Sequence, residues 1–315
     1  MDRTQDCGSC NVGSIPTGGT VFMNRPNNKN KTFVLTVCGD EGVEDVNFCL
    51  MFIKKWVKDP VCVIASRVTL PINHDWVVHV NTPSSLNNLQ TSRYLKTGIQ
   101  KHIPIKKDTI YCYLDNDVFL LSEKIYKMFE LFTGTVLFAH DHKMTVETFS
   151  GWCLHYGSLD EAIEKYFSVK VEAEWRIWNS GVYLFDHTAI GFLNTWNEMV
   201  CATFDLPQWI VKDQGPLVAT VWKYGLQHRS VLPPEYNWLF GLSEFDKVKC
   251  DYTSEGFRCG NTDIIVVHFY GGDTSKVTRE WLNAFEYVFG KNSLEYRTAR
   301  KFRLKIKLAK FFNFI

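Results

Sequence analysis

Short apolar runs alternate with stretches of helical period along most of this chain, and that alternation predicts its architecture. Residues 33–38 (FVLTVC) are apolar without a polar gap, which predicts a first strand buried on both faces. A turn at residues 39–42 leads to a helix over 43–58, with Val46, Leu50, Ile53 and Val57 at helical spacing and Pro60 ending it. Residues 61–65 and 76–80 predict the next strands. Polar residues then introduce a helix over 86–102, and residues 109–114 predict a central strand rich in β-branched and aromatic side chains.

The second half continues the alternation less regularly. Ser122 is placed to cap a helix running to Phe132, and residues 135–139 predict a strand. Residues 140–178 are an irregular insertion in which Ser158-Leu-Asp-Glu161 forms a capping box for a helix ending near Phe167. Strands are predicted at 182–185, 227–232 and 263–269. Helices are predicted at 188–203, from Lys212-Asp-Gln-Gly-Pro216 to Tyr224 with Gly225 closing it, and at 281–289 with Gly290 as the stop. Strands alternating with helices predict an α/β fold: a mostly parallel central sheet flanked by helices on both faces. The first strand is not followed by G-x-G-x-x-G, which argues against a dehydrogenase-type dinucleotide site.

The organisation follows from composition. Residues 1–31 are rich in Gly, Asn, Thr and Pro without periodicity and predict a disordered or loosely attached arm. Residues 32–292 carry the fold, and 293–315 form a basic, apolar tail. A net charge of +1 gives no general attraction to nucleic acid. The 10 cysteines are scattered, several inside apolar runs, which predicts reduced thiols rather than a disulfide framework; the single Cys7-x-x-Cys10 reads as incidental. No run is long and apolar enough to cross a membrane, and the start lacks the apolar segment of a signal peptide. A cytoplasmic location is the expectation. The aromatic content of 15% fits either a large core or a sugar-stacking surface.

The chemistry centres on Asp115-Asn116-Asp117 at the end of the central strand. About one Asp-x-Asp is expected by chance in a chain of this length, so the pattern alone is equally a solvated turn. Its setting tips the balance. Apolar residues enclose the two acids on both sides, and charged groups are rarely placed so without a partner. The carboxyl edge of a central strand is where open α/β sheets bind ligands. Two carboxylates there can hold a divalent cation that keeps positions for water and phosphate oxygens.

Four polar notches follow apolar runs in the order YLDND, WNSGV, KDQGP and HFYGG, and Ser92-Arg93-Tyr94-Leu95-Lys96 precedes the first. Over residues 32–276 this series resembles glycosyltransferase family 8, retaining enzymes of GT-A fold that transfer a sugar from a nucleotide-sugar donor. The resemblance implies that Asp115, Asp117 and His268 hold Mn2+ or Mg2+, and that Arg93 and Lys96 meet the donor phosphates and sugar. It implies that Asn179, Asp213 and Gln214 line the donor sugar near its anomeric carbon. Asn116 and Gly271 would lie against the donor, and Lys276 would contact the diphosphate. The chain departs from the family pattern in lacking Pro and Trp after Lys276 and in its turn after strand one, where Thr36 and Asp40 are the residues placed to meet the nucleotide base. His140-Asp-His142 reads as surface side chains rather than as a metal site.

Such a reaction leaves negative charge on the diphosphate and positive charge on the sugar. A cation with Arg93 and Lys276 suits the first, and Asp213 with Gln214 the second. The expected donor is a UDP-hexose, and the expected acceptor a hydroxyl on a glycan, a lipid-linked glycan or a protein. An inverting transferase is the alternative, with Asp141 or Glu174 as its base, as is a non-catalytic sugar-binding protein of the same fold. The tail, with Arg300, Arg303, Lys307 and Lys310 on one helical stripe, fits peripheral membrane contact or a docked terminal element equally.

Overall fold

The computed structural model describes residues 29–210, 213–240, 250–253, 256–270 and 273–312. Strand β1 (Asn30–Cys38) is enclosed from Thr32 onward. Its side chains alternate between two cores: Phe33, Leu35 and Val37 enter one, Val34 and Cys38 the other. That is why the run reads as continuously apolar rather than as an alternation. Helix α1 (Val43–Trp56), strand β2 (Val61–Ser66), strand β3 (Val77–His79) and helix α2 (Asn88–Thr97) follow. Asn87 caps α2 with a reciprocal capping box through Gln90.

Strand β4 (Thr109–Leu114) is wholly buried, and strand β5 (Val118–Leu120) begins three residues after it ends. Then come β6 (Val136–Thr145), α3 (Val146–Cys153), α4 (Leu159–Phe167) and β7 (Arg176–Phe185). Helices α5 (Ile190–Ala202) and α6 (Gln214–Lys223) precede β8 (Trp238–Phe240), β9 (Cys250–Thr253), β10 (Gly256–Cys259), β11 (Thr262–Asp263) and β12 (Val266–Phe269). Helices α7 (Asp273–Lys276), α8 (Arg279–Phe289) and α9 (Leu294–Phe312) complete the order.

The main sheet has six strands in the order β3-β2-β1-β4-β7-β6. Pairings among β3, β2, β1 and β4 are parallel, whereas β7 runs antiparallel to both β4 and β6. Helices α1 and α8 cover one face, and α2 and α5 the other. Two smaller sheets have the orders β5-β12-β8 and β11-β10-β9, the first of them entered directly from β4. Phe119 of β5 stacks on Phe52 of α1 at 4.2 Å and meets Phe285 of α8 edge-on, so the strand after the Asp pair is anchored in the core. Truncating such a ring to alanine costs about 3–5 kcal/mol.

Several expectations are corrected. The Asn179-Ser-Gly181 segment lies inside β7 rather than before it, because β7 begins at Arg176, and the β6–β7 register shifts beside it. Residues 227–232 form no strand; only Leu232 bridges, to Ala139. The segment capped by Ser122 is a 3-10 helix, and Ser158 makes no side-chain cap. Cys259 is disulfide-bonded, against the expectation of reduced thiols, while Cys38, Cys49, Cys62, Cys112, Cys153 and Cys201 form no disulfide. Asn30 opens β1, and Lys29 pairs with Asp186 at 2.8 Å. Residues 1–28, with Cys7 and Cys10, lie outside the described residues.

The tail forms helix α9, docked by Ala299 and Ile306, by Phe302 against Phe48, and by Arg303 donating to Val277 O. Leu304, Leu308, Phe311 and Phe312 remain exposed. Among the described residues no helix is long and apolar enough to cross a membrane.

Candidate active site

The turn between β4 and β5 is held from both sides. Asp115 N donates to Gly181 O of β7 at 2.8 Å, and Phe269 N of β12 donates to Asp117 O at 2.9 Å. The β5–β12 register sets His268 opposite Val118. Backbone pairing therefore brings two acids from one turn and an imidazole about 150 residues further on to the seam between two sheets. Ligand atoms of Asp115, Asp117 and His268 lie within 4.8 Å of one another.

Nε2 of His268 is 3.1 Å from Oδ1 of Asp117, and that oxygen is buried. Burial would lower the pKa of His268, but the charge of Asp117, its hydrogen bond to the ring and the charge of Asp115 together outweigh it and leave the value raised above 6.5. Burial would raise the Asp117 carboxyl; His268, and then Lys96, bring it below its ordinary value. These residues fit a divalent cation. Two adjacent ligands of an octahedral ion with bonds of about 2.1 Å are ~3.0 Å apart, close to the 3.1 Å between His268 Nε2 and Asp117 Oδ1, and two carboxylates with one imidazole can share such an ion.

Basic side chains join this group to Asp213. Lys96, from α2, is 2% exposed; its Nζ is 2.9 Å from Asp115 Oδ2 and 3.3 Å from Asp213 Oδ2. Nε of Arg93 lies 3.1 Å from Asp213 Oδ1. Burial would raise the Asp213 pKa, but Arg93 and then Lys96 hold it below the ordinary carboxylate value. Tyr113 donates to Asp115 Oδ1 at 2.7 Å, and its own oxygen is 3.2 Å from Thr36 Oγ1.

Asp213 and Gln214 open α6, which Trp196 steadies by donating to Asp213 O at 3.0 Å. Ser180 Oγ lies 3.2 Å from Asp213 Oδ2 and 3.3 Å from Gln214 Oε1. Gln214 Nε2 donates to Trp178 O, and Asn179 Nδ2 donates to Asp141 Oδ2 at 3.1 Å. Burial raises the pKa of Asp141, although the Asn179 hydrogen bond opposes it.

These groups line one cavity of about 520 Å³. Of the residues singled out in the sequence, Thr36, Arg93, Lys96, Asp115, Asn116, Asp117, Asn179, Asp213, Gln214 and His268 all face it. Asp40 and Lys276 are not part of its wall. The Asp40 carboxylate accepts from the backbone amides of Thr69 and Leu70, tying down the loop after β2, and Lys276 Nζ is 2.7 Å from Asp45 Oδ2 on α1. Gly271 lies outside the described residues, as do the side-chain positions of His142. Glu174 is exposed and away from the cavity, whereas Asp141 is in its wall. The cavity also has apolar lining residues, Met144, Phe149, Ile210 and Trp152, the last of them 53% exposed.

Sequence reading passed over Tyr113, Ser180 and Asn237. Tyr113 was legible, because residues two apart on a strand share a face and it therefore accompanies Asp115. Asn237, a lone polar residue between Tyr236 and Trp238, carries no local signal.

Comparisons with known proteins agree with this geometry. The sequence model described as Glycosyl transferase family 8 matches residues 28–277. No curated protein sequence matches the chain. Among solved structures, galactosyltransferase LgtC in complex with donor and acceptor sugar analogs is similar at a TM-score of 0.53 and 12% identity, covering 85% of this chain and 99% of that one. An active-site mutant of LgtC gives a TM-score of 0.53 and 13% identity over the same shares. Mouse xyloside xylosyltransferase 1, apo form, gives 0.46 and 12% over 76% and 98%. At such identities the likeness is one of fold.

Proposed function

This chain belongs to glycosyl transferase family 8 and is a glycosyltransferase, and from that premise we propose that it moves a hexose from a UDP-sugar to an acceptor hydroxyl, with retention at the sugar carbon. The observation that carries this reading is the cluster of Asp115, Asp117 and His268 in the cavity wall, with ligand atoms within 4.8 Å of one another. Four carboxyl side chains, Asp115, Asp117, Asp141 and Asp213, face the cavity against two basic ones, Arg93 and Lys96. An anionic diphosphate would enter that surface poorly unless a cation came with it.

In this reading Asp115, Asp117 and His268 hold Mn2+ or Mg2+. When bound, the ion supplies Lewis-acid stabilisation of the charge developing on the leaving diphosphate. Arg93 adds a planar cation beside the same charge. Asp213, kept ionised by Arg93 and Lys96, faces the positive charge growing on the sugar. Gln214, its amide fixed by Trp178 O and Ser180, orients the sugar, and Asn179 lines the same subsite. Thr36 and Asn116 meet the nucleotide end. The Asp40 and Lys276 roles suggested by family resemblance find no support in their present partners. The apolar lining at Trp152 suits an acceptor sugar, which buries its aliphatic face on an aromatic ring.

The acceptor class is a glycan, a lipid-linked glycan or a protein. Exposed apolar side chains beside the lysines of α9 favour contact with an anionic membrane surface, and with it a lipid-linked acceptor. Six described cysteines outside any disulfide favour a reducing, cytoplasmic setting, and the disulfide at Cys259 weighs against it.

The test is transfer and hydrolysis with a panel of nucleotide sugars, with Mn2+ or with chelator, on the wild type and on Asp117→Ala. Cation-dependent turnover of one UDP-hexose, lost in the variant, is expected; turnover indifferent to chelator would sink the cation reading. The raised Asp141 carboxyl supports a second reading, in which Asp141 acts as the base of an inverting transfer. Proton NMR of the first-formed anomer separates the two.

A further inference from the structure

The cation site needs an unshared electron pair at Nε2 of His268, and which ring nitrogen keeps the proton is set by what the other one meets. That contact lies behind the cavity wall. Nδ1 of His268 is 3.2 Å from Oδ1 of Asn237, whose Nδ2 donates to Oδ1 of Asn179 at 2.9 Å. The same Asn179 oxygen accepts the backbone N–H of Gly181 at 2.9 Å.

A side-chain amide can be turned end for end, so each of these bonds taken singly is ambiguous. The Gly181 N–H is not, because it can only donate. The Asn179 atom it meets is therefore the oxygen. Asn237 must then turn its NH2 toward Asn179, which leaves its own oxygen to face the imidazole, and Nδ1 must carry the hydrogen. The far end agrees, since it leaves Asn179 Nδ2 to donate to Asp141. Asn237 is 2% exposed, His268 3% and Asn179 6%, so water does not replace these partners. Gly181 is part of the same device: a Cβ there would lie 2.2 Å from Cε1 and 2.5 Å from Nδ1 of His268, so only a glycine lets the strand pass against the ring.

We propose that Asn237 is a positioning residue of the cation site, holding His268 as the Nδ1–H tautomer through the chain Gly181, Asn179, Asn237 and so keeping Nε2 open toward Asp115 and Asp117. The inference rests on the cation reading above and adds to it a residue that meets neither donor nor acceptor. Without the Asn237 oxygen, a neutral ring can place its hydrogen on Nε2, where Asp117 Oδ1 stands 3.1 Å away to accept it. An arriving cation must then displace that proton. Loss of a partner of this kind weakens metal binding by about 10–100-fold.

The test has two arms on the full chain. In the Mg2+-loaded wild type, long-range proton–nitrogen NMR of the His268 ring is expected to place a slowly exchanging hydrogen on Nδ1 and none on Nε2; a hydrogen on Nε2 overturns the inference without recourse to any variant. Calorimetric titration with Mn2+ then compares the wild type with Asn237→Leu. Affinity lower by about 10–100-fold in the variant is the expected result, and equal affinity overturns the inference alone. No binding of Mn2+ by the wild type would instead overturn the cation reading, and this inference with it.

Discussion

The ammonium of Lys96 lies 3.3 Å from Oδ2 of Asp213, and both side chains are almost fully enclosed. The same nitrogen is 2.9 Å from Asp115, so one buried ammonium serves both a candidate cation ligand and the Asp213 carboxylate. Removing one partner of a buried pair leaves uncompensated charge and costs about 3–5 kcal/mol. Lys96→Met is expected to lose stability of that order in cation-free denaturant unfolding. The loss should shrink when Mn2+ is saturating, because the ion then partners Asp115. A variant as stable as the wild type without cation would show that the two carboxylates need no ammonium.

The pH dependence of cation binding follows from His268. Its folded pKa is raised above the ordinary 6.5, so the protonated ring stabilises the cation-free protein fully below the unfolded value. That contribution is lost as pH rises through the folded value. A cation requires the unprotonated Nε2, so its apparent affinity should climb with pH up to the folded pKa, which lies above 6.5, and level off beyond it. Titration calorimetry in buffers of different ionisation enthalpy should detect proton release that fades at high pH. Affinity independent of pH there would remove His268 from the ligand set.

Gly181→Ala probes the fit between β7 and the imidazole. The added methyl meets the ring rather than a flexible tail, and a crowded core of this kind typically costs about 1–3 kcal/mol. Because the ring must shift, cation affinity should fall together with the unfolding midpoint. A stability loss with unchanged cation binding would mean that His268 can move without consequence for the ion.

The parts of this fold that were legible are those governed by nearest neighbours in sequence. The residues of β1 and β4 are apolar on both faces because helices cover both, and the Asp pair stands out because it interrupts that burial. The antiparallel course of β7 was hidden: direction depends on where the preceding chain re-enters the sheet, and an apolar strand reads alike either way. Asp40 was an instructive miss. A carboxylate after the first strand is well placed for a nucleotide, but here the nearby amides of Thr69 and Leu70 claim it. Asn237 could not be read at all, since its role exists only because β12 sets His268 beside it. The Arg93, Lys96 and Asp213 contacts likewise join residues more than 100 positions apart.

The apolar lining at Trp152 gives the last prediction. An indole 53% exposed and lining a polar cavity, with Met144 and Phe149, has no packing role that explains its position. Stacking of a sugar face on an aromatic ring removes apolar area from water at about 25 cal/mol per Å², and a contact of this size is worth ~1–2 kcal/mol, or roughly a five- to thirtyfold change in binding. Trp152→Ala should therefore raise the acceptor KM by about that factor while leaving donor hydrolysis in the absence of acceptor unchanged. The ring is not among the candidate cation ligands Asp115, Asp117 and His268, so cation affinity should not change either. If hydrolysis falls as far as transfer does, the ring contributes to the donor site or to its folding, and the acceptor must approach from another side.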